Sequence, residues 1–105
     1  MQKVMITGSE GLIGREITHF LKKNGYKVIK CSRSLGQDLT NEKFVKNWFK
    51  KNKANHLVNL FGLNEHIVNE KSEESTDLFD VSLKSFSKYL NLNVTSLFSV
   101  CREYA

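Results

Sequence analysis

The 105-residue chain has no proline, only two cysteines and no long apolar run. No stretch approaches the ~20 consecutive apolar residues of a membrane-spanning helix, so a spanning segment is not expected. The N-terminal MQKVMITGSEG has no long apolar stretch followed by a cleavage site and does not read as a secretory signal. Cys31 and Cys101 are too few for a disulfide framework. The expected setting is the cytoplasm, with both thiols reduced and packed as small apolar side chains. His19, His56 and His66 show no pairing at metal-ligand spacing, so no metal site is expected. No carboxylate pair stands out, and Glu73 and Glu74 read as part of a solvated loop. Internal repeats and low-complexity segments are absent.

The charge is lopsided, with 16 Lys and Arg against 11 Asp and Glu, a net +5. Its placement matters more than its size. Lys22 and Lys23 close one helical pattern, and Lys50, Lys51 and Lys53 close another. Cations there complement the negative end of a helix dipole and its last carbonyls. No stripe of basic residues interleaved with aromatics appears, so a nucleic-acid partner is not expected. Asn93-Val94-Thr95 matches a glycosylation sequon formally, but inside a helix of a cytosolic chain it carries no weight.

What is present is a globular composition, 40% apolar and 26% charged. The length suits one domain, taken as residues 1–105. Lys3–Thr7 (KVMIT) reads as a buried strand. Leu12–Asn24 carries Leu12, Ile13, Ile17, Phe20 and Leu21 at helical spacing, and Asn24-Gly25 stops it. Tyr26–Cys31 reads as a second strand, followed by a polar loop in which a short extra strand near Gly36–Asp38 has room. Asp38 and Thr40 offer caps for a helix over Asn41–Asn52, with Phe44, Val45, Trp48 and Phe49 on its core face. His56–Phe61 is a third apolar run, Leu63–Asp80 is polar and irregular, and Leu83–Tyr104 fits one long helix. Its expected core stripe is Leu83, Phe86, Leu90, Val94, Leu97, Phe98 and Cys101. Strands alternating with helices predict an α/β fold with a parallel sheet and crossover helices.

Between the first strand and first helix, glycines fall at 8, 11 and 14 in Thr7-Gly8-Ser9-Glu10-Gly11-Leu12-Ile13-Gly14. Gly8 permits a sharp turn off the strand. Gly11, without a side chain, lets a pyrophosphate approach the backbone, and Gly14 lets the helix pack close to the sheet. The helix N-terminus then aims N–H groups and its positive dipole end at phosphates. Ser9, Leu12 and Ile13 share that turn and belong to the candidate dinucleotide site. A carboxylate that would hold a ribose 2′-hydroxyl is expected about 20 residues further on. Cys31-Ser32-Arg33-Ser34 stands there instead. Ser32 and a forked Arg33 suit a 2′-phosphate, which favours NADP over NAD. Glu10 argues the other way, because an acid in the glycine loop repels an added phosphate.

With these motifs the chain resembles the short-chain dehydrogenase/reductase family, along nearly its whole length. The glycine spacing is similar to the family's extended form. Asp38-Leu39-Thr40 resembles its Asp motif, which implies that Asp38, with Leu39, meets the adenine. Leu57–Gly62 resembles its Asn-Asn-Ala-Gly motif, retaining Asn59 and Gly62 with Leu60 and Phe61 between them. Tyr89–Phe98 resembles the helix that bears the family's catalytic asparagine, which implies Asn93 in that role, holding a water linked to a catalytic lysine. The resemblance implies a Rossmann-like parallel sheet flanked by helices and an NAD(P)-dependent oxidoreductase. Such an enzyme moves hydride between a nicotinamide and a carbonyl or alcohol substrate.

The same resemblance implies a Ser and a Tyr-x-x-x-Lys on the strand and helix beyond the asparagine helix, and no Tyr-x-x-x-Lys follows Asn93 here. Tyr26 and Lys30 have the spacing but fall on the second strand, far from a nicotinamide. The chain is therefore expected to be the cofactor-binding part of such an enzyme, inactive alone. The alternatives are a non-catalytic dinucleotide-binding or interaction module, or part of a sugar-nucleotide reductase or epimerase. An open sheet edge after the third strand and the family's use of the last helix in its subunit interface together imply a homo-oligomer.

Overall fold

The computed structural model describes residues 1–62 and 82–105. The irregular stretch expected over Leu63–Asp80, with His66, Glu73 and Glu74, lies outside the described residues. Three parallel strands, β1 (Lys3–Thr7), β2 (Lys27–Cys31) and β3 (His56–Asn59), form one sheet in the order β2-β1-β3. Val4, Met5, Ile6 and Thr7 are all buried, the signature of a central strand covered on both faces. Side chains alternate across the pleat. Met5, with its neighbours Ile29 and Leu57, joins Cys31, Leu39, Val45, Phe49 and Val100 in the main core. Val4 and Ile6 point to the opposite face, where α1 (Leu12–Lys23) packs on β1 and β2.

The apolar positions expected to bury α1 do so only in part. Ile17 and Leu21 are half-buried, whereas Leu12, Ile13 and Phe20 are exposed. The buried residues are Gly14 and Thr18, one turn apart. Small side chains bring the helix axis close to the sheet and leave its larger neighbours pointing outward. Asn24 and Gly25 end the helix as expected, with Gly25 at φ +86° and the Tyr26 N–H donating to the Leu21 carbonyl.

After β2 no extra strand forms. Arg33–Leu35 make a 3-10 turn closed by Gly36 at φ +80°. The cap of α2 (Glu42–Lys51) also differs from expectation: Asn41, not Asp38 or Thr40, accepts the Phe44 N–H at 3.0 Å. Asp38 instead folds its own turn, accepting the Thr40 N–H at 3.0 Å and the Thr40 hydroxyl at 2.6 Å. The predicted core face of α2 is present. Val45 and Phe49 are buried, Phe44 and Trp48 pack beside them, and the Trp48 indole N–H donates to Met5 Sδ.

The C-terminal helix runs unbroken from Leu83 to Tyr104, as expected, with one irregular turn in its middle. Leu83–Leu90 (α3) and Ser96–Tyr104 (α4) are α-helical, and Asn91–Thr95 between them form a π turn. Its expected core stripe is inverted. Leu83, Phe86, Leu90, Val94, Leu97, Phe98 and Cys101 are exposed, and the buried positions are Ser85, Ser96 and Val100. The reason is local: Ser85 and Ser96 allow close approach to the body, Val100 and Tyr104 reach the core, and the large apolar side chains of the expected stripe face away from it. Tyr104 fastens α4, packing edge-on to Phe49 and donating its hydroxyl to the Ala54 carbonyl at 3.3 Å. Arg102 adds an exposed ion pair to Glu42 of α2 at 3.1 Å.

Candidate functional site

The β1–α1 turn is built by close backbone contacts. The N–H groups of Gly8 and Ser9 both donate to the Cys31 carbonyl, at 2.7 and 3.3 Å, which staples the turn to the end of β2. Gly8 has φ +74°, and a Cβ there would lie 2.6 Å from the backbone of Leu60, just past β3. A Cβ on Gly14 would lie 2.1 Å from the Gly8 carbonyl oxygen. Two glycines thus let β1, β3 and α1 converge on one point. Gly11 is the N-cap of α1 in extended conformation, with no side-chain cap and no acid in the first helical turn. The helix therefore begins with an open, electropositive end.

A cavity of about 880 Å³ opens beside this turn, past the carboxyl ends of the strands. Strand order reverses between β1 and β3, the place where open α/β sheets bind ligands. Its floor is Gly8, Glu10 and Gly11. One wall is the loop after β2, from Ser32 to Thr40 without Leu35. The other is Leu60, Phe61 and Gly62, and Lys88, Asn91 and Leu92 approach from α3 and the π turn.

The β2 loop is pre-shaped. The Ser32 N–H donates to Gln37 Oε1 at 2.8 Å, and the Ser32 and Ser34 hydroxyls share a hydrogen bond at 3.3 Å. Leu39 sits in the core and anchors the end of the loop. Arg33 extends from it, exposed. The Thr40 hydroxyl and N–H hold the Asp38 carboxyl below the usual carboxylate range, and the Arg33 charge adds to this. Burial pushes the Cys31 thiol up to about 11, so it stays neutral. Glu10 is anchored in turn: Lys30 Nζ stands 3.3 Å from its Oε1, and the Ser9 hydroxyl donates weakly to the same atom at 3.5 Å.

Of the residues singled out from sequence, Gly8, Gly11, Ser32, Arg33, Asp38, Leu39 and Gly62 line this one cavity. Ser9 is buried within the turn, Leu12 and Ile13 are exposed on the first turn of α1, and Gly14 is packed beneath it. Asn59 faces elsewhere. Its Oδ1 accepts the Thr7 hydroxyl at 2.8 Å and its Nδ2 donates to Cys101 Sγ at 3.6 Å, tying β1, β3 and α4 together. Asn93 meets the cavity wall through Gly62: a Cβ there would lie 3.1 Å from Asn93 Oδ1. Sequence reasoning missed Lys88, Asn91 and Leu92, although their spacing of three and four residues marks one helix face. Tyr26 precedes β2 at the end of the sheet away from the cavity, and Lys30 is engaged by Glu10, so their spacing has no catalytic geometry. Among the described residues no group of three or more His, Cys, Asp or Glu is placed to hold a metal ion. No described helix is long and apolar enough to cross a membrane.

The family profile described as "NAD dependent epimerase/dehydratase family" matches residues 4–91. No curated protein matches the chain. Among solved structures, a small-chain dehydrogenase superposes with TM-score 0.80 at 18% identity, over 97% of this chain and 51% of that one. A small-chain dehydrogenase in complex with NADPH gives 0.79 at 18% identity, over 97% and 43%. A dTDP-4-dehydrorhamnose reductase from Clostridium acetobutylicum gives 0.71 at 25% identity, over 96% and 31%. The chain thus spans about half or less of the length of these structures.

Proposed function

The chain belongs to the NAD-dependent epimerase/dehydratase family, and from that premise we propose that it is the cofactor-binding part of an NAD(P)-dependent oxidoreductase. The observation that carries this reading is the cavity itself. A glycine turn too tight for any side chain lies beside the open N-terminus of α1, with Ser32, Arg33 and Ser34 on the adjoining wall. These residues fit a dinucleotide. Main-chain N–H groups and the dipole suit its pyrophosphate, and the Ser-Arg-Ser corner suits a 2′-phosphate.

We assign the pyrophosphate to Gly8–Gly14, the ribose phosphate of NADP to Ser32 and Arg33, and the adenine to Asp38 and Leu39. Gly62 would flank the nicotinamide end, with Asn93 holding a water there and Asn59 bracing the strand ends. When bound, the nicotinamide exchanges a hydride at C4 with a carbonyl or alcohol. The protein's part is to fix the ring and exclude water. These 105 residues contain no Tyr-x-x-x-Lys at the site, so we expect binding without turnover. The proposed setting is the cytoplasm, where both thiols stay reduced. The proposed assembly is a homo-oligomer through the exposed α3–α4 stripe. A sugar-nucleotide reductase is the second reading, supported by the 25% identical dTDP-4-dehydrorhamnose reductase and the glycine spacing.

Titration calorimetry with NADPH and NADH tests the proposal. We expect both to bind, NADPH more tightly, and Arg33→Ala to lower NADPH affinity about tenfold while changing NADH less than twofold. Absence of any heat at millimolar nucleotide would sink the dinucleotide reading, and equal affinities for both nucleotides would sink the NADP preference.

A further inference from the structure

The glycine turn contains an acid where a phosphate-binding site gains nothing from one. Glu10 lines the same cavity as Ser32, Arg33 and Ser34. The staple between the turn and the Cys31 carbonyl holds it beside the end of β2. An ionised carboxylate there opposes a dianionic 2′-phosphate on the neighbouring loop. The structure carries the remedy next door. Lys30 is the penultimate residue of β2 and points to the α1 face, opposite the main core, because Ile29 and Cys31 take the core side. Its ammonium reaches Glu10 at 3.3 Å. The other acid in the cavity, Asp38, is likewise compensated, by Thr40 and by Arg33.

We propose that the Glu10–Lys30 ion pair sets nucleotide preference at this site: Lys30 neutralises and pins the glycine-loop carboxylate, which lets the adjoining Ser32-Arg33-Ser34 corner accept a 2′-phosphate. The inference rests on the NAD(P)-binding reading above. It makes Lys30 a specificity-determining residue that acts through Glu10 rather than on the nucleotide. Without Lys30, Glu10 carries an unbalanced charge at the phosphate corner and the site turns toward the 2′-hydroxyl form. With Glu10 made neutral, Lys30 becomes dispensable.

Calorimetric titration of the 105-residue chain with NADPH and with NADH at low salt separates these roles. Lys30→Met keeps the aliphatic stem and is expected to weaken NADPH binding about tenfold while NADH stays within twofold. Adding Glu10→Gln to Lys30→Met is expected to restore NADPH to within about twofold of the unaltered chain. Glu10→Gln alone removes the opposing charge and is expected to tighten NADPH binding more than NADH binding, which gives a reading even if Lys30→Met compromises folding. Raising the salt should narrow the difference between Lys30→Met and the parent, as screening predicts. Three results would overturn the inference while leaving dinucleotide binding intact: equal loss of NADPH and NADH in Lys30→Met, no loss of either, or a double variant as weak as Lys30→Met. The last would mean that Lys30 touches the phosphate directly. An unaltered chain that binds neither nucleotide would overturn the parent reading and this one together.

Discussion

Replacing Gly8 by alanine tests the central claim about the site, that its glycine turn works by close backbone approach. Two costs combine at Gly8. Its φ of +74° is left-handed, which costs a non-glycine residue about 1–2 kcal/mol. Its Cβ would also sit 2.6 Å from the carbonyl carbon and oxygen of Leu60. The obstacle is backbone rather than a movable side chain, so β1 and the segment after β3 must part, at a further ~1–3 kcal/mol. Gly25 supplies an internal control. It has φ +86° and nothing within 4 Å of an added Cβ, so Gly25→Ala bears the first cost alone. Urea unfolding followed by the single tryptophan, Trp48, reads both. That indole contacts Met5 of the central strand and reports on the core. With a slope of about 1–3 kcal/mol per molar urea, an extra 2 kcal/mol lowers the midpoint by about 0.7–2 M. Gly14→Ala extends the test. Alanine favours a helix interior by about 1 kcal/mol over glycine, yet a Cβ here would meet the Gly8 carbonyl oxygen at 2.1 Å. Should Gly8→Ala prove no worse than Gly25→Ala, or Gly14→Ala raise stability, the close-approach argument fails.

Asn59→Ala should cost about 1–2 kcal/mol, because the buried Thr7 hydroxyl keeps only the Val58 carbonyl at 3.5 Å; Asn59→Asp, which retains the acceptor, should cost less in the same unfolding assay. Ellman's reagent at neutral pH should label Cys101 in the folded chain and reach Cys31 only after denaturation, and prompt labelling of both would contradict the burial of Cys31. The Cys31 thiol moves from 9.0 to about 11 on folding, so the unfolded chain loses this proton first. Stability should therefore fall as pH rises from about 9 to about 11, and Cys31→Ala should flatten that limb of a urea-midpoint profile. Leu90→Ser combined with Phe98→Ser should lower the sedimentation coefficient if the exposed α3–α4 stripe buries against a second copy; an unchanged coefficient would remove this stripe from the interface.

Most of the sheet was legible because its signals are short-range. KVMIT, bounded by the glycine turn, could only be a buried strand beside a helix, and the core face of α2 followed from periodicity. The stripes of α1 and of α3–α4 misled for a shared reason. Periodicity finds the apolar face, but the closest approach to the body is made at small residues, Gly14 with Thr18 and Ser85 with Ser96, with Val100 and Tyr104 the large side chains of α4 that reach the core. Apolar side chains mark the core only where something covers them. The π turn falls on a run poor in strong helix formers, Asn91, Asn93, Val94 and Thr95 beside Leu92, but low propensity alone does not locate a π turn. At the site, glycine spacing and the Ser-Arg corner identified two walls. A motif position says nothing of where an amide points, and the Asn59 amide here points to Thr7 and Cys101. Lys88 escaped notice because it arrives from an element 26 residues past the third wall at Gly62.

The contact between Gly8 and Leu60 also imposes an order on synthesis. β1, α1 and β2 are all made by residue 31, and their parallel pairing is available early. The turn that would cradle phosphate cannot then be complete, because one of its sides is the backbone of Leu60 and Phe61. While the nascent chain lacks that segment, the second edge of β1 is unpaired and Gly8 has nothing to lean on. A ribosome leaves about 3–11 s between residues 8 and 62 at 5–20 residues per second, and longer before both clear the tunnel. On the dinucleotide-binding proposal, nucleotide would not template the first half of this sheet but would meet a finished pocket, and stalled chains ending before Leu60 should ignore it.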